Sequence, residues 1–340
     1  MMRRILYLGY FIKNSDYPRL IEFAHHAHAE GYSYLYLWAS MIYCTLKYKS
    51  GFDEFFIFRF YCKNADERAK WVCSGYMYEY QLKMNPRKYR DILDDKTKFY
   101  KHYGKYMIHN VGDIDDLETK PDLLSKIYHN DSGKLVFKAK DGQCGNSVLV
   151  CKTSEIKMDE VVPFMKKNNW DLLEEYIVQH KDITNLSPFA VNTIRIVTQI
   201  NKYGTVDILA CRMRISGGAN VDNFSHSSHT GMAAAINMET GIIDVPAVKK
   251  DNFSEPIYIH PKTGIPIVGF KIPFWKETLE LATNAALSHP QNKSVGWDIV
   301  ITENGPGLIE GNHNWNRDIF QMPVNRGLKS ILDDYLTGKK

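Results

Sequence analysis

The sequence predicts an α+β protein with a mainly helical N-terminal domain, and three stretches carry that reading. Up to about residue 88, apolar residues recur with the helical period more often than with the strand period. Between Lys134 and Lys152, two short alternating runs flank a glycine-containing loop. From residue 189 onward the pattern is that of an antiparallel sheet, and it closes in a hairpin at Gly296–Asn312. These stretches divide the chain into a helical unit 1–88, an α+β lobe 89–176 and a second lobe 177–340.

Composition narrows the classes. A chain of 340 residues with 44% hydrophobic and 24% charged residues can bury a sizeable core. The formal charge of +4 is too small to imply a nucleic-acid partner without a clustered basic face. Cys44, Cys62, Cys73, Cys144, Cys151 and Cys211 show no C-x-x-C pair and no zinc spacing, so they read as reduced thiols. The short apolar run after Arg3-Arg4 soon meets Lys13, Asn14 and Asp16, with no signal-peptide pattern. No apolar segment approaches the ~20 residues that span a bilayer. A cytoplasmic protein is expected.

In the N-terminal region, Tyr17 to Gly31 reads as a helix with Pro18 near its start and glycine at its end. His25, His26 and His28 lack an i,i+4 pair and nearby acids, which makes them an ordinary helix surface. Tyr32 to about Lys49 is a second helix, although Tyr32, Tyr34, Tyr36 and Trp38 alternate as a short strand would. A third helix follows Asn64, with Asp66 and Glu67 in its first turn. The aromatics Phe55, Phe56, Phe58, Phe60, Trp71, Tyr76, Tyr78 and Tyr80 are expected mostly in the core, some lining a sugar-binding groove. Asn85-Pro86 breaks the pattern.

Past Pro86, the segment from Tyr89 leads into a helix near whose start Lys96 lies. Leu123 to Tyr128 is helical, Lys134 to Lys140 alternates as a strand, and Val148 to Lys152 returns. The intervening loop, Asp141 to Ser147, contains Gly142 and Gly145 and ends at Ser147. Such a loop lets main-chain N–H groups approach a phosphate, with Lys138 supplying a point charge. It is not a Walker loop, because the lysine precedes the glycines. A helix at Met158–Asn168 and a short strand within Trp170–His180 come next.

In the second lobe, Val191 to Ile200 and Val206 to Arg214 alternate around the turn Asn201-Lys202-Tyr203-Gly204. Asn192 and Arg195 lie on or beside the first strand, while Arg212 and Arg214 share a face of the second. Three arginines in a half-buried sheet need anions, either structural carboxylates or a substrate. Ser216 to Gly231 is a long polar loop of the functional kind. A helix opens at Ile272-Pro273-Phe274-Trp275 and runs to about His289, and Gly327 to Leu336 forms a last one.

The hairpin is the most informative stretch. Glu310 and Asn312, two apart, point to one face, and the opposite arm returns Asp298 beside them. Two carboxylates and an amide oxygen suit a hard divalent cation, and Mg²⁺ is usually held by one or two carboxylates plus substrate phosphates. A cationic side chain is the alternative partner for carboxylates in so apolar a setting.

Taken in order, these segments resemble the ATP-grasp superfamily, most closely its sugar-transfer-associated branch linked to capsule and exopolysaccharide synthesis. The resemblance rests on Asp95-Lys96, Phe137-Lys138 with the 141–147 loop, Glu174-Glu175-Tyr176-Ile177, Val191-Asn192-Thr193-Ile194-Arg195, Val221-Asp222-Asn223, His260-Pro261 with Thr263-Gly264, Gly296-Trp297-Asp298 and Ile309-Glu310-Gly311-Asn312. It covers residues 95 to 323. It implies an ATP-grasp fold with ATP and Mg²⁺ clasped between two α+β lobes. Lys96 and Lys138 would hold the phosphates under the loop with Gly142, Gly145 and Ser147. Glu174, Glu175 and Ile177 would border adenine, with Asp182 at the ribose. Asp298, Glu310 and Asn312 would hold the metal, and Arg195 and Arg212 would act catalytically.

Substrate contacts are expected at Asn192, Arg214, Asn223, Ser225 and His229. The activity so implied is a carboxylate–amine ligase working through an acyl phosphate, on a small-molecule or glycan carboxylate and an amine. A phosphotransferase and a nucleotide-sensing subunit are the rival readings, and a homodimer is possible. The helical N-terminus departs from the α/β domain that many ATP-grasp enzymes carry there.

Overall fold

The computed structural model describes residues 2–140, 148–218, 224 and 231–340. The calls on Gly142, Gly145, Ser147, Asn223, Ser225 and His229 lie outside the described residues.

Six helices open the chain: α1 (Met2–Asn14), α2 (Tyr17–Ala29), α3 (Tyr34–Tyr48), α4 (Phe52–Ile57), α5 (Ala65–Ala69) and α6 (Ser74–Met84). Local chemistry explains their starts. The Asp16 side chain accepts from Arg19 N, Ser33 accepts from Tyr36 N, and Asn64 forms a capping box with Glu67. The Tyr32–Trp38 alternation is therefore helical from Tyr34 on, because the Ser33 cap fixes the first turn and α3 buries Leu37, Met41 and Cys44. Phe23, Phe55, Phe56, Phe58 and Phe60 fill the core between these helices, and Phe58 stacks on Trp71 at 4.5 Å between ring centroids.

The next two helices are α7 (Asp91–Asp94) and α8 (Lys96–Tyr103), the latter capped by Asp95, whose side chain accepts from Thr97 N and Lys98 N. The first sheet is antiparallel, in the order β1-β4-β2-β3, from β1 (Val111–Asp113), β2 (Lys134–Lys138), β3 (Val148–Lys152) and β4 (Leu172–Glu175). Helices α9 (Ile114–Thr119), α10 (Pro121–Tyr128) and α11 (Val161–Asn168) cover one face of it. Leu135, Phe137 and Leu173 pack against Leu117, Ile127 and Met165 on that side. The two-residue period then turns Val136, Lys138 and Glu174 to the other face.

After α12 (Lys181–Leu186), a five-stranded antiparallel sheet runs β7-β6-β5-β8-β9. Its strands are β5 (Ile194–Ile200), β6 (Val206–Ile215), β7 (Met232–Ala235), β8 (Ser294–Thr302) and β9 (Gly305–Asn312). Helix α13 (Trp275–Ser288) lies on one face, where Ala282, Ala285 and Ala286 let it pack with Ile196, Met213, Trp297 and Ile299. Helices α14 (Arg317–Gln321) and α15 (Lys329–Leu336) finish the chain.

The helical region is joined to the C-terminal lobe by buried polar groups. Glu54 is fully buried and accepts from Gly51 N, Ser74 N, Ser74 Oγ and the Arg317 Nε. Gln321 bridges Val72 from both sides, accepting from its N–H at 2.8 Å and donating to its carbonyl at 3.0 Å. Removing one member of a buried ion pair strands the other, at a cost of about 3–5 kcal/mol. Glu54→Ala should therefore lower the unfolding free energy read from urea titration by an amount of that order, and an unchanged value would mean that this link does not hold the two regions together.

Candidate active site

The face of the five-stranded sheet opposite α13 carries a charged row. Strand register places Arg212 beside Arg195, Arg195 beside Asp298, and Asp298 beside Glu310, across β6, β5, β8 and β9. Alternation is what sends all four to one side, away from Trp297 and Ile196. Gly296 makes room for them: a Cβ there would meet Trp315 Cβ at 2.6 Å and Arg195 Cδ at 3.2 Å.

Asp298 is buried and doubly paired. Its Oδ1 accepts from Arg195 Nε, while its Oδ2 accepts from Arg195 Nη2 at 2.7 Å and from Arg214 Nη1 at 2.8 Å. Burial pushes this carboxyl up, and the two guanidinium groups outweigh burial and hold it at about 2. Glu310, exposed on the outer strand, carries a carboxyl hydrogen-bonded to that of Asp298. Crowding by surrounding atoms and then the Asp298 charge raise it above its usual range. Asn312 Nδ2 donates to Glu310 Oε1 at 3.0 Å. The three expected metal ligands thus lie together.

The donor set fits Mg²⁺: all its candidate ligand atoms are oxygens, and a cation beside the pair would relieve the charge that Asp298 sets against ionised Glu310. Among the described residues, no group of three or more His, Cys, Asp or Glu could hold a metal ion, so the amide of Asn312 is needed to make three.

The first sheet contributes cations. Lys138 Nζ lies 2.7 Å from Glu174 Oε2, and His109 Nε2 lies 3.0 Å from the same oxygen. Against burial, the Lys138 charge and His109 hold the Glu174 carboxyl at about 2. Lys96 Nζ donates to Ala139 O at 3.1 Å, which sets both lysines at one end of β2. The segment that leads into α8 also touches the hairpin. A Cβ on Gly311 would meet Leu93 at 3.1 Å, and Asp94 Oδ1 is 3.0 Å from His313 Nε2.

The linker between the sheets is tied to both. Glu175 accepts from Asn110 N at 2.8 Å and from Asn110 Nδ2 at 3.0 Å. His180 N donates to Ile301 O at 2.7 Å, and Asp182 is exposed in the first turn of α12.

Three of the expected roles need correction. Arg212, expected to act catalytically, donates Nε to Ile319 O, Nη1 to Cys211 O and Nη2 to Phe320 O. Those are carbonyls of α14 and of its own strand, so the guanidinium anchors α14 to the sheet. Asn192, expected to meet substrate, is buried with its Nδ2 on Gln179, Ser187 and Ala190 and its Oδ1 accepting from Ser216 N. A saturated amide of this kind fixes the loop entering the sheet. Glu174, expected beside the nucleotide, spends its side chain on Lys138 and His109.

Sequence reasoning missed His109 and Ile108. A Cβ on Gly307 would overlap Ile108, so the Gly-Pro-Gly hairpin tip is the floor on which this bridging segment rests. Those glycines were the available signal.

The profile of the sugar-transfer associated ATP-grasp family matches residues 76–335. The chain belongs to this family, and its fold is the ATP-grasp fold. No curated protein matches the chain. Among solved structures it is similar to the ATP-grasp ligase PsnB complexed with a minimal precursor, at 10% identity and TM-score 0.43, covering 81% of this chain and 70% of that one. It is also similar to the ADP complex of N5-carboxyaminoimidazole ribonucleotide synthetase, at 10% identity and TM-score 0.38, covering 66% and 45%. A biotin carboxylase from Campylobacter jejuni is similar at 14% identity and TM-score 0.42, covering 73% and 47%. The chain thus spans less than half the length of the last two proteins.

Asp298 and Glu174 are both depressed in the folded protein, from 3.8 and 4.5 to about 2. The stability each contributes, on the order of 2–3 kcal/mol, is present above the unfolded-state values and lost as pH falls towards 2. Urea unfolding should show this loss between about pH 4 and 2, and Glu174→Gln should flatten it. Glu310 has the opposite sign: its ionisation is disfavoured by folding. Without divalent cations at pH 7, Glu310→Gln should melt at a higher temperature than the wild type, and a lower melting point would contradict the repulsion assigned to the pair.

Proposed function

We propose that this protein is an ATP-dependent carboxylate–amine ligase of surface-glycan synthesis, joining an amino acid or amino sugar to a uronic-acid-type carboxylate. The observation that supports it most is the cluster of Asp298, Glu310 and Asn312 beside Arg195 and Arg214 in a chain of the ATP-grasp family. Lys96 and Lys138 at the end of β2 supply charges for the phosphates. Ile177 N–H and Glu175 C=O meet adenine and Asp182 the ribose. Gly142, Gly145 and Ser147 belong to the loop over the phosphates, and Asn223, Ser225 and His229 to the acceptor side.

When bound at Asp298, Glu310 and Asn312, Mg²⁺ would neutralise the phosphate oxygens. An oxygen of the substrate carboxylate bonds to the γ-phosphorus as the β–γ bridging P–O bond breaks, giving ADP and an acyl phosphate. The amine nitrogen then bonds to the acyl carbon, the C–O bond to phosphate breaks with its electron pair, and the nitrogen loses a proton. Arg195 and Arg214 keep Asp298 ionised throughout and present their positive edges to the developing oxyanion.

Incubation of the protein with Mg²⁺, ATP, uronic acids and amines should release ADP and phosphate only when both substrates are present. The product mass should equal acid plus amine minus water. Lys138→Ala should lower kcat/KM by on the order of a hundredfold or more. A phosphorylated acceptor formed without free phosphate would make the protein a phosphotransferase instead. Nucleotide binding without turnover under any pairing would leave the sensing role.

A further inference from the structure

Helices α1 and α3 pack side by side, and their inner faces join the aromatic core. Leu8 and Phe11 lie against it, with Phe11 6.1 Å from Phe52 between ring centroids, while α3 buries Leu37, Met41 and Cys44. Their outer residues are unusual for a surface. Leu6 is 66% exposed, Tyr10 61% and Leu35 83%, and Ile5, Ile42 and Tyr43 are exposed on the same two helices. Scattered apolar side chains on a surface need no explanation, but a cluster on two adjacent helices marks an interaction face.

Charge selects the partner. Residues 1–15 and 33–50 contain Arg3, Arg4, Lys13, Lys47 and Lys49, and no aspartate or glutamate. Acids that approach from elsewhere include Asp16, which caps α2, and Glu79 of α6, paired with Lys49 at 2.5 Å. The same two segments hold eight tyrosine, tryptophan and phenylalanine residues, the side chains that sit at the level of lipid headgroups. Lys47 Nζ donates to Tyr43 Oη at 2.8 Å and lies over the Tyr48 ring, so an amphipathic stem runs along an aromatic surface with its charge at the rim. Among the described residues no helix is long and apolar enough to cross a membrane, so contact of this kind lies in the plane of the interface.

We infer that the outer face of α1 and α3 docks on the surface of an anionic lipid bilayer. Exposed aliphatic and aromatic side chains enter the headgroup region, and the basic residues of these two segments, Arg4, Lys13 and Lys47 among them, meet lipid phosphates. The inference is independent of the nucleotide site, because none of these residues belongs to it. A bilayer rather than a second copy of the chain is favoured by the rim: two such faces brought together would oppose like charges.

The test is sedimentation of the full chain with vesicles, without nucleotide. Vesicles of phosphatidylglycerol and phosphatidylcholine should carry the protein down, phosphatidylcholine alone should not, and binding should fall as salt rises from 50 to 500 mM, as expected on the order of several-fold or more. The double variant Leu6→Asp/Leu35→Asp should bind on the order of tenfold or more weakly. It should keep the wild-type circular dichroism and Mg²⁺-dependent nucleotide binding, since both positions are exposed. Arg4→Glu/Lys47→Glu should remove the preference for anionic lipid. Absence of vesicle binding at low salt, equal binding by the Leu6→Asp/Leu35→Asp protein, or a concentration-dependent dimer dissolved by that variant without any lipid binding would each overturn the inference.

Discussion

A carboxylate as deeply buried as that of Asp298 is tolerable only where cations meet it, and the C-terminal sheet is arranged around this requirement. Arg195 reaches it from the neighbouring strand β5, and Arg214 from β6 beyond. Gly296 leaves the space through which the Arg195 stem passes. The pairing has a second consequence. With Asp298 held ionised, the adjacent Glu310 is disfavoured as an anion, so the sheet keeps one carboxylate satisfied and the next in need of a cation. A site with that electrostatic imbalance suits a divalent ion brought in with a phosphate ligand.

The same logic operates in the first sheet. Glu174 is buried and anionic, and it holds Lys138 and His109. A lysine tethered in this way keeps its charge at a fixed position before any ligand arrives, which is what a phosphate site requires. Among the described residues, helix α8 and short segments connect the two sheets. Ile108 rests on the Gly307 floor, Leu93 lies against Gly311, and the linker leaves β4 to bond Ile301.

Much of this was legible in the sequence because it follows from period and from local chemistry. Two-residue alternation around Glu-Asn-Gly-Pro-Gly gave the hairpin, and with it the convergence of Asp298, Glu310 and Asn312. Asn64 before Asp66 marked a helix start that the structure confirms, and the helix expected to begin near Lys96 is α8. What sequence could not provide was the partner of each polar group across long separations. Arg212 has the same residue type and face as Arg195, yet α14 lies more than a hundred residues on and takes its guanidinium through main-chain carbonyls. Asn192 looks like a substrate contact until Gln179 and Ser216 are seen to saturate it. Helix α1 gave no clear signal, since its apolar residues face both the core and the solvent.

The account turns on the claim that ionised Asp298 disfavours the ionisation of Glu310 and that a cation relieves this. Carbon-13 NMR of labelled carboxyl groups, titrated from pH 3 to 8 with and without Mg²⁺ and ADP, reads this directly. The predicted result is an Asp298 resonance already ionised at the lowest pH that the fold survives, and a Glu310 resonance titrating above its usual 4.5 alone and well below that when Mg²⁺ and ADP are present. A Glu310 carboxyl that titrates at its ordinary value and does not respond to Mg²⁺ and ADP would contradict it.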